Sequence, residues 1–160
     1  MIDRVARKQA AQAIRHFATG QITNKDFIKR YPTSCKDPAI WALDDTVWCL
    51  YDDIHTHKLT GPETLPKEIK KEIARWLTFL YSDEEYLWPR IGTPGFRKRP
   101  DPLWFSWLFG FGRGRGKRFR ASGDYDVWPF IKREDFDDAR RKPVLLVGPR
   151  LQGNRGVENS

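Results

Sequence analysis

Apolar side chains recur at helical spacing through the first ninety residues. This periodicity is the strongest indication of the fold class in the sequence. The clearest stripe follows Pro66, and a second one over residues 3–18 stops at Gly20. The first stripe consists of Ile69, Ile73, Trp76, Leu77 and Leu80. Apolar residues three and four apart lie on one face of a helix, so both segments are predicted to be amphipathic helices.

Capping signals predict further helices between and after these two. Thr23 followed by Asp26 resembles a capping box, and Asp37 before Pro38 is typical of a helix start. A predicted apolar face then runs through Ile40, Leu43, Val47, Leu50, Tyr51 and Ile54, with Trp41 and Trp48 flanking it. On the first helix the residues at helical spacing, expected to share the inner face, are Val5, Ala6, Gln9, Ala10, Ala13, Ile14 and Phe17. We expect Cys49 to be a small core residue and Ser82 with Glu85 to start a short turn.

After residue 89 the pattern changes, because proline and glycine become frequent. Residues 125–128 could form a strand and residues 133–141 a short polar helix. We therefore predict a mainly α protein with about four helices in a compact body over residues 1–90. An irregular, aromatic-rich segment over 91–149, with at most a small β-hairpin, is expected to pack on that body, and 150–160 to be a disordered tail.

The positive charge of the chain is concentrated in one segment. The net charge is +8, but residues 1–90 carry 14 Lys/Arg against 13 Asp/Glu. Residues 97–120 alone carry eight basic residues and one acid. A basic stretch of this kind favours an anionic partner such as nucleic acid or an anionic lipid surface.

Glycines alternate with aromatic and basic side chains in the stretch FGFGRGRGKRFR, residues 109–120. Its glycines lie two apart, so the stretch fits neither the P-loop nor the dinucleotide-binding spacing. An extended ribbon would suit stacking on bases and pairing with phosphates. The candidate anion-binding residues are Arg113, Arg115, Lys117, Arg118 and Arg120. Two alternatives remain: a flexible loop, or neutralisation by the acids at 134–138.

The stretch DDIHTH offers the best metal-ligand types in the sequence: Asp52, Asp53, His55 and His57. Two histidines two residues apart point to different faces of a helix. Histidines in a last helical turn also interact well with the helix dipole. We therefore expect neither a metal nor a cofactor.

The aromatic cluster at 103–111 is the predicted protein-contact surface. Its candidate residues are Trp104, Trp107, Phe109 and Phe111. No catalytic motif stands out, no secretory signal is visible and no apolar run is long enough to span a membrane. Two cysteines without a close pair suit free thiols in a reducing compartment. We expect a non-enzymatic, cytoplasmic helical binding or accessory protein acting through protein contact, with a nucleic-acid-binding protein as the alternative.

Overall fold

A computed structural model describes residues 1–32, 36–52, 54–89 and 121–141, and these residues form a mainly α-helical protein. Within these ranges lie five α-helices and no β-strand. The helices are α1 (Arg4–Ala18), α2 (Asn24–Arg30), α3 (Pro38–Val47), α4 (Lys67–Tyr81) and α5 (Arg133–Arg141). The predicted α class is thus confirmed, with four helices before residue 90 and the polar helix at 133–141. The domain boundaries stay a prediction, since 90–120 and 142–160 lie outside the described residues.

The first helix, α1, presents mostly alanine to the core. Its N-cap is Asp3, whose carboxylate accepts a hydrogen bond from the Ala6 amide at 2.9 Å. The buried residues of this helix are Ala6, Arg7, Ala10, Ala11, Ala13, Ile14 and Phe17. Five of the seven residues predicted to face inwards are buried, but Val5 and Gln9 lie at the edge of the stripe and are exposed, Val5 to 78%.

The helices α1 and α4 form the principal packed pair and run antiparallel. Arg7, near the start of α1, contacts Phe79 near the end of α4. Arg15, near the end of α1, lines a common groove with Lys70 near the start of α4. The small side chains of α1 let the larger residues of α4 pack closely, since the distance between helices depends on the side chains at the contact.

A buried ion pair joins the start of α1 to the start of α3. The Nε atom of Arg7 donates to the Oδ2 atom of Asp37 at 2.6 Å, and each side chain is 1% exposed. Its Nη1 atom donates to the backbone oxygens of Ser82 at 3.2 Å and Glu84 at 2.8 Å. The guanidinium carbon lies 4.9 Å from the ring centre of Phe79. Because the buried charges are paired and hydrogen-bonded, they fix three chain segments together.

Both predicted helix starts before α2 and α3 are confirmed. Thr23 and Asp26 form a reciprocal capping box at the start of α2. Asp37 caps α3 by accepting from the Ala39 amide at 3.1 Å, and Pro38 occupies the first turn. These local signals fix where each helix begins.

The predicted short turn starting at Ser82 is wrong, because Ser82 ends α4 instead of starting another helix. Its hydroxyl donates to the Phe79 backbone oxygen at 2.8 Å and accepts from the Glu84 amide. The following residues run irregularly to the buried Trp88, whose Nε1 atom donates to the backbone oxygens of Pro129 and Phe130 at 3.0 and 3.1 Å. This segment therefore holds the later part of the chain against α4.

The strand predicted at 125–128 is wrong, since Tyr125–Val127 is a single 3-10 turn. Asp124 caps that turn by accepting from the Asp126 amide at 2.9 Å, which closes the backbone locally and leaves no extended run. Trp128 and Phe130 then enter the core, each 1% exposed. The aromatic part of the C-terminal half that the structure describes thus packs on α4.

Candidate protein-binding face

One side of α3 stays open to solvent although it carries two tryptophans. The inner side packs Ile40, Leu43 and Val47, each 0% exposed, into the core. The outer side carries residues that follow the i, i+3, i+4, i+7 spacing of a single helix face: Trp41, Asp44, Asp45 and Trp48. We call these four residues the Trp41–Trp48 face. Residues with this spacing usually face the core, but these four residues are exposed.

The two indoles of this face are the largest exposed side chains of α3 and its end. Trp41 is 42% exposed and Trp48 is 55% exposed. Trp48 stands at the C-cap of α3 in a helical backbone conformation, so the face continues without a break into the 3-10 turn Trp48–Leu50. The sequence pattern placed both tryptophans beside the buried face, and the structure leaves both of them partly exposed on the outer side.

Two neighbouring carboxylates lie between the tryptophans. Asp44 and Asp45 are both exposed, and α3 contains no Lys or Arg. Although Asp44 reaches solvent, protein atoms around it partly desolvate the carboxyl, and this burial, followed by the charge of Asp45, raises its pKa above the ordinary 3.8. The face is therefore both apolar and acidic, and its negative charges repel each other.

Cys49 lies beside this face and not in the core, so the prediction of a core thiol is wrong. The side chain is exposed, and its Sγ atom lies 3.7 Å from the Asp45 backbone oxygen. The reason is the helical register: Cys49 follows the exposed Asp45 by four residues and therefore lies next to it on the outer side. Cys35 lies outside the described residues.

The metal-ligand candidates lie in an irregular segment after the 3-10 turn, not in a last helical turn as expected. Asp52 and His55 are paired, with 2.7 Å between Oδ2 and Nδ1, and this contact lowers the pKa of Asp52. The His57 ring instead contacts the backbone oxygen of His55 at 3.0 Å. Asp53 is not among the described residues. In the part of the chain that is described, no three His, Cys, Asp or Glu side chains gather in a way that could hold a metal ion.

Asn24 fixes this segment from the N-terminus of α2. Its buried side-chain amide donates to the backbone oxygens of Asp52 and His55 at 2.7 and 2.8 Å. Its side-chain oxygen accepts from the His57 amide at 3.0 Å. The side-chain amide of Asn24 therefore holds the loop in place, a role that no local sequence pattern indicates.

The predicted contact residues Trp104, Trp107, Phe109 and Phe111 lie outside the described residues. The same is true of the predicted anion-binding residues Arg113, Arg115, Lys117, Arg118 and Arg120. Both sets stay predictions. The Trp41–Trp48 face was missed because Trp41 and Trp48 were assigned as flanking residues. The signal that could have found it is the pair of acids placed between them at i+3 and i+4.

Compared with known protein families, curated proteins and solved structures, the chain shows no significant match in any of the three. Among the helices that the structure describes, none has the length and apolar content needed to cross a membrane.

Proposed function

We propose that this chain is a non-enzymatic helical binding protein that works through contact with another protein. The observation that carries the proposal is the Trp41–Trp48 face, which exposes two indoles on one side of a helix whose other side is fully buried. Tryptophan is enriched among the residues that contribute most to protein interfaces. It supplies a large contact area while only two side-chain torsions have to be fixed.

The chemistry of the face favours a partner segment that is basic and apolar at once. Asp44 and Asp45 would pair with Lys or Arg of the partner, and such cations also bind well over the rings of Trp41 and Trp48. A partner cation would relieve the repulsion between the two carboxylates, which contributes to the raised pKa of Asp44. The apolar side chains of the partner would cover the exposed indole surface.

We further propose that the protein works in the cytoplasm. The Cys49 side chain is exposed next to the binding face. An exposed thiol is compatible with a compartment where glutathione keeps cysteines reduced, whereas an oxidising compartment would promote disulfide exchange at this position.

The position of Cys49 allows a direct test of the proposal. In a Cys35→Ser background, a photo-crosslinker attached to Cys49 is placed next to the Trp41–Trp48 face in nuclease-treated cell extract. The expected result is one stoichiometric protein partner whose crosslinked peptide carries an excess of Lys and Arg. The partner should be lost in the double variant Trp41→Ala/Trp48→Ala.

The matched control is Ile28→Ala on α2, because Ile28 is 43% exposed, close to the value for Trp41. The Ile28→Ala variant should still crosslink to the same partner. Crosslinking that survives the double tryptophan variant, or a crosslinked peptide that is acidic, would contradict the proposal.

The alternative function, nucleic-acid binding, is supported by the net charge of +7 over residues 97–120 and not by the described face, whose carboxylates repel phosphates. Counterion release predicts that log-affinity falls with log-salt at a slope of about −0.9 per duplex phosphate contact. Replacing Arg113 and Arg115 by Gln should reduce that slope if the segment binds nucleic acid. An unchanged slope would remove this alternative.

A further inference from the structure

A groove separates the end of α1 from the start of α4, and none of its lining residues belongs to α3. Its cavity volume is about 620 Å³, within the range of about 300–1,000 Å³ usual for small-molecule sites. The third wall is the segment from Leu59 to Thr64, which contains a 3-10 turn. Gly20 lets this wall approach α1, because a Cβ atom there would lie only 2.3 Å from the Thr60 Cγ2 atom.

The floor of the groove is apolar. Leu59 and Ile73 are each 4% exposed and belong to the core, and Leu77 extends the floor along α4. Because these three side chains are held by core packing, the floor is already formed without a ligand. A hydrocarbon chain placed on it would lose water contact on one whole side.

The charged groups that line the groove are both positive. Arg15 lies in the last turn of α1 and Lys70 in the first turn of α4. Among the described residues, no acidic side chain lines the groove, and neither cation forms an ion pair. Lys70 also lies at the positive end of the α4 dipole, where a cation is unfavourable. An anion between the two side chains would be stabilised by both charges.

We infer that this groove binds a monomeric amphiphile with an anionic head group, of the chemical class of a fatty-acid carboxylate. The carboxylate accepts hydrogen bonds from Arg15 and Lys70, and the alkyl chain lies on Leu59, Ile73 and Leu77. The site is concave and walled by three chain segments, which fits a single free molecule better than the flat surface of a bilayer.

The test follows the methyl NMR signals of Leu59, Ile73 and Leu77 during titration with decanoate below its micelle concentration. Saturable shifts confined to these methyl groups are expected. Decanol has the same chain without the charge and should bind about a hundredfold more weakly, because both charge-assisted hydrogen bonds are lost. Arg15→Gln and Lys70→Gln should each weaken decanoate binding by about tenfold and leave decanol binding unchanged.

The matched control is Lys71→Gln, since Lys71 is an exposed cation on the same helix that does not line the groove. It should bind decanoate like the wild type. Equal affinities for decanoate and decanol would overturn the inference even if no variant folds. So would unchanged affinity in both groove variants, the absence of saturable shifts, or co-sedimentation with anionic phosphatidylglycerol vesicles without any decanoate binding.

Discussion

Charged side chains affect the stability of the core at Arg7 and Asp37 and of the Trp41–Trp48 face at Asp44. Arg7 and Asp37 are each 1% exposed and are paired, so the loss of either charge would leave the other unpaired in the core. Asp44 has only a like-charged neighbour in its own helix, so its charge works against the folded state and favours a cationic partner. The same residue type therefore has a structural role at position 37 and a proposed binding role at position 44.

Replacing Asp37 by Asn should lower the free energy of unfolding by about 3–5 kcal/mol, because Arg7 would be left as an unpaired buried charge. Asparagine still caps a helix well, so the loss reports mainly on the charge. Urea unfolding measures it. The exposed pair between Arg4 and Asp83 provides the control, since Asp83→Asn should cost less than about 1 kcal/mol. Equal losses in the two variants would show that the buried pair has no special role.

Replacing Asp44 by Asn should stabilise the protein at neutral pH. The pKa of Asp44 is raised in the folded state, so the unfolded chain ionises first as the pH rises through 3.8. The wild type thereby loses stability that the asparagine variant keeps, and the difference should vanish well below pH 3.8. Thermal unfolding over a pH series checks the sign. A variant that is less stable than the wild type at neutral pH would contradict it.

At the residue level, helix N-caps could be predicted from sequence, whereas the long-range partners of side chains could not. Asp37 was recognised as the N-cap of α3, because the signal is local. Its pairing with Arg7, thirty residues away, depends on how α1 and α3 pack and leaves no local signal. Cys49 was misplaced although its signal is local: it lies four residues after the exposed Asp45 and so belongs to the outer side of the helix.

Among the elements, α4 is the clearest case of a helix that its sequence specifies. Ile73, Trp76 and Leu80 of the predicted stripe are buried, Ile69 and Leu77 are partly buried, and the buried Phe79 was not predicted. Trp76 is 0% exposed, and its ring centre lies 5.9 Å from that of Trp128. By contrast, the segment 125–128 has strand-forming residue types but lies next to a capping aspartate and before Pro129. The capping hydrogen bond of the aspartate therefore favours a turn at this position although the residue types favour a strand.

Trp76→Ala should cost about 3–5 kcal/mol of stability, because it opens a cavity between α4 and the aromatic residues packed on it. Trp48→Ala removes the same side chain from an exposed position and should change stability by only about 0.5 kcal/mol. Urea unfolding of the two variants compares core and surface tryptophans directly. A loss below about 1 kcal/mol for Trp76→Ala would mean that the stripe is not the core.

For the whole molecule, the segment 121–131 closes the core that α1 to α4 leave open. Trp128 and Phe130 fill the space beside α4, and the Arg75 Nε atom donates to the Trp128 backbone oxygen at 2.6 Å. None of these long-range contacts could be predicted from sequence. Sequence patterns indicate which residues form a helix or turn, but not how the helices and turns pack against each other.

Gly123→Ala should destabilise this closing segment by about 1–3 kcal/mol, because the added Cβ atom would lie 2.7 Å from the Ile131 backbone oxygen. Gly123 and Ile131 would have to move apart, which would strain the hydrogen bond that the Asp124 amide donates to the Ile131 backbone oxygen at 2.8 Å. Urea unfolding measures the loss, and Ala121→Ser at an exposed neighbouring position serves as the control. If both variants unfold at the same urea concentration as the wild type, the segment does not contribute to the core as described.

We propose that the Trp41–Trp48 face binds a basic, partly apolar segment of another protein. The most direct measurement follows the indole N–H signals of Trp41 and Trp48 while two designed helical peptides are titrated, one with leucines and lysines and one with glutamates in place of the lysines. We predict saturable shifts at both indoles with the lysine peptide alone, weakened at least tenfold in Asp44→Asn/Asp45→Asn. Equal binding of both peptides, or shifts that leave these two indoles unchanged, would contradict the claim.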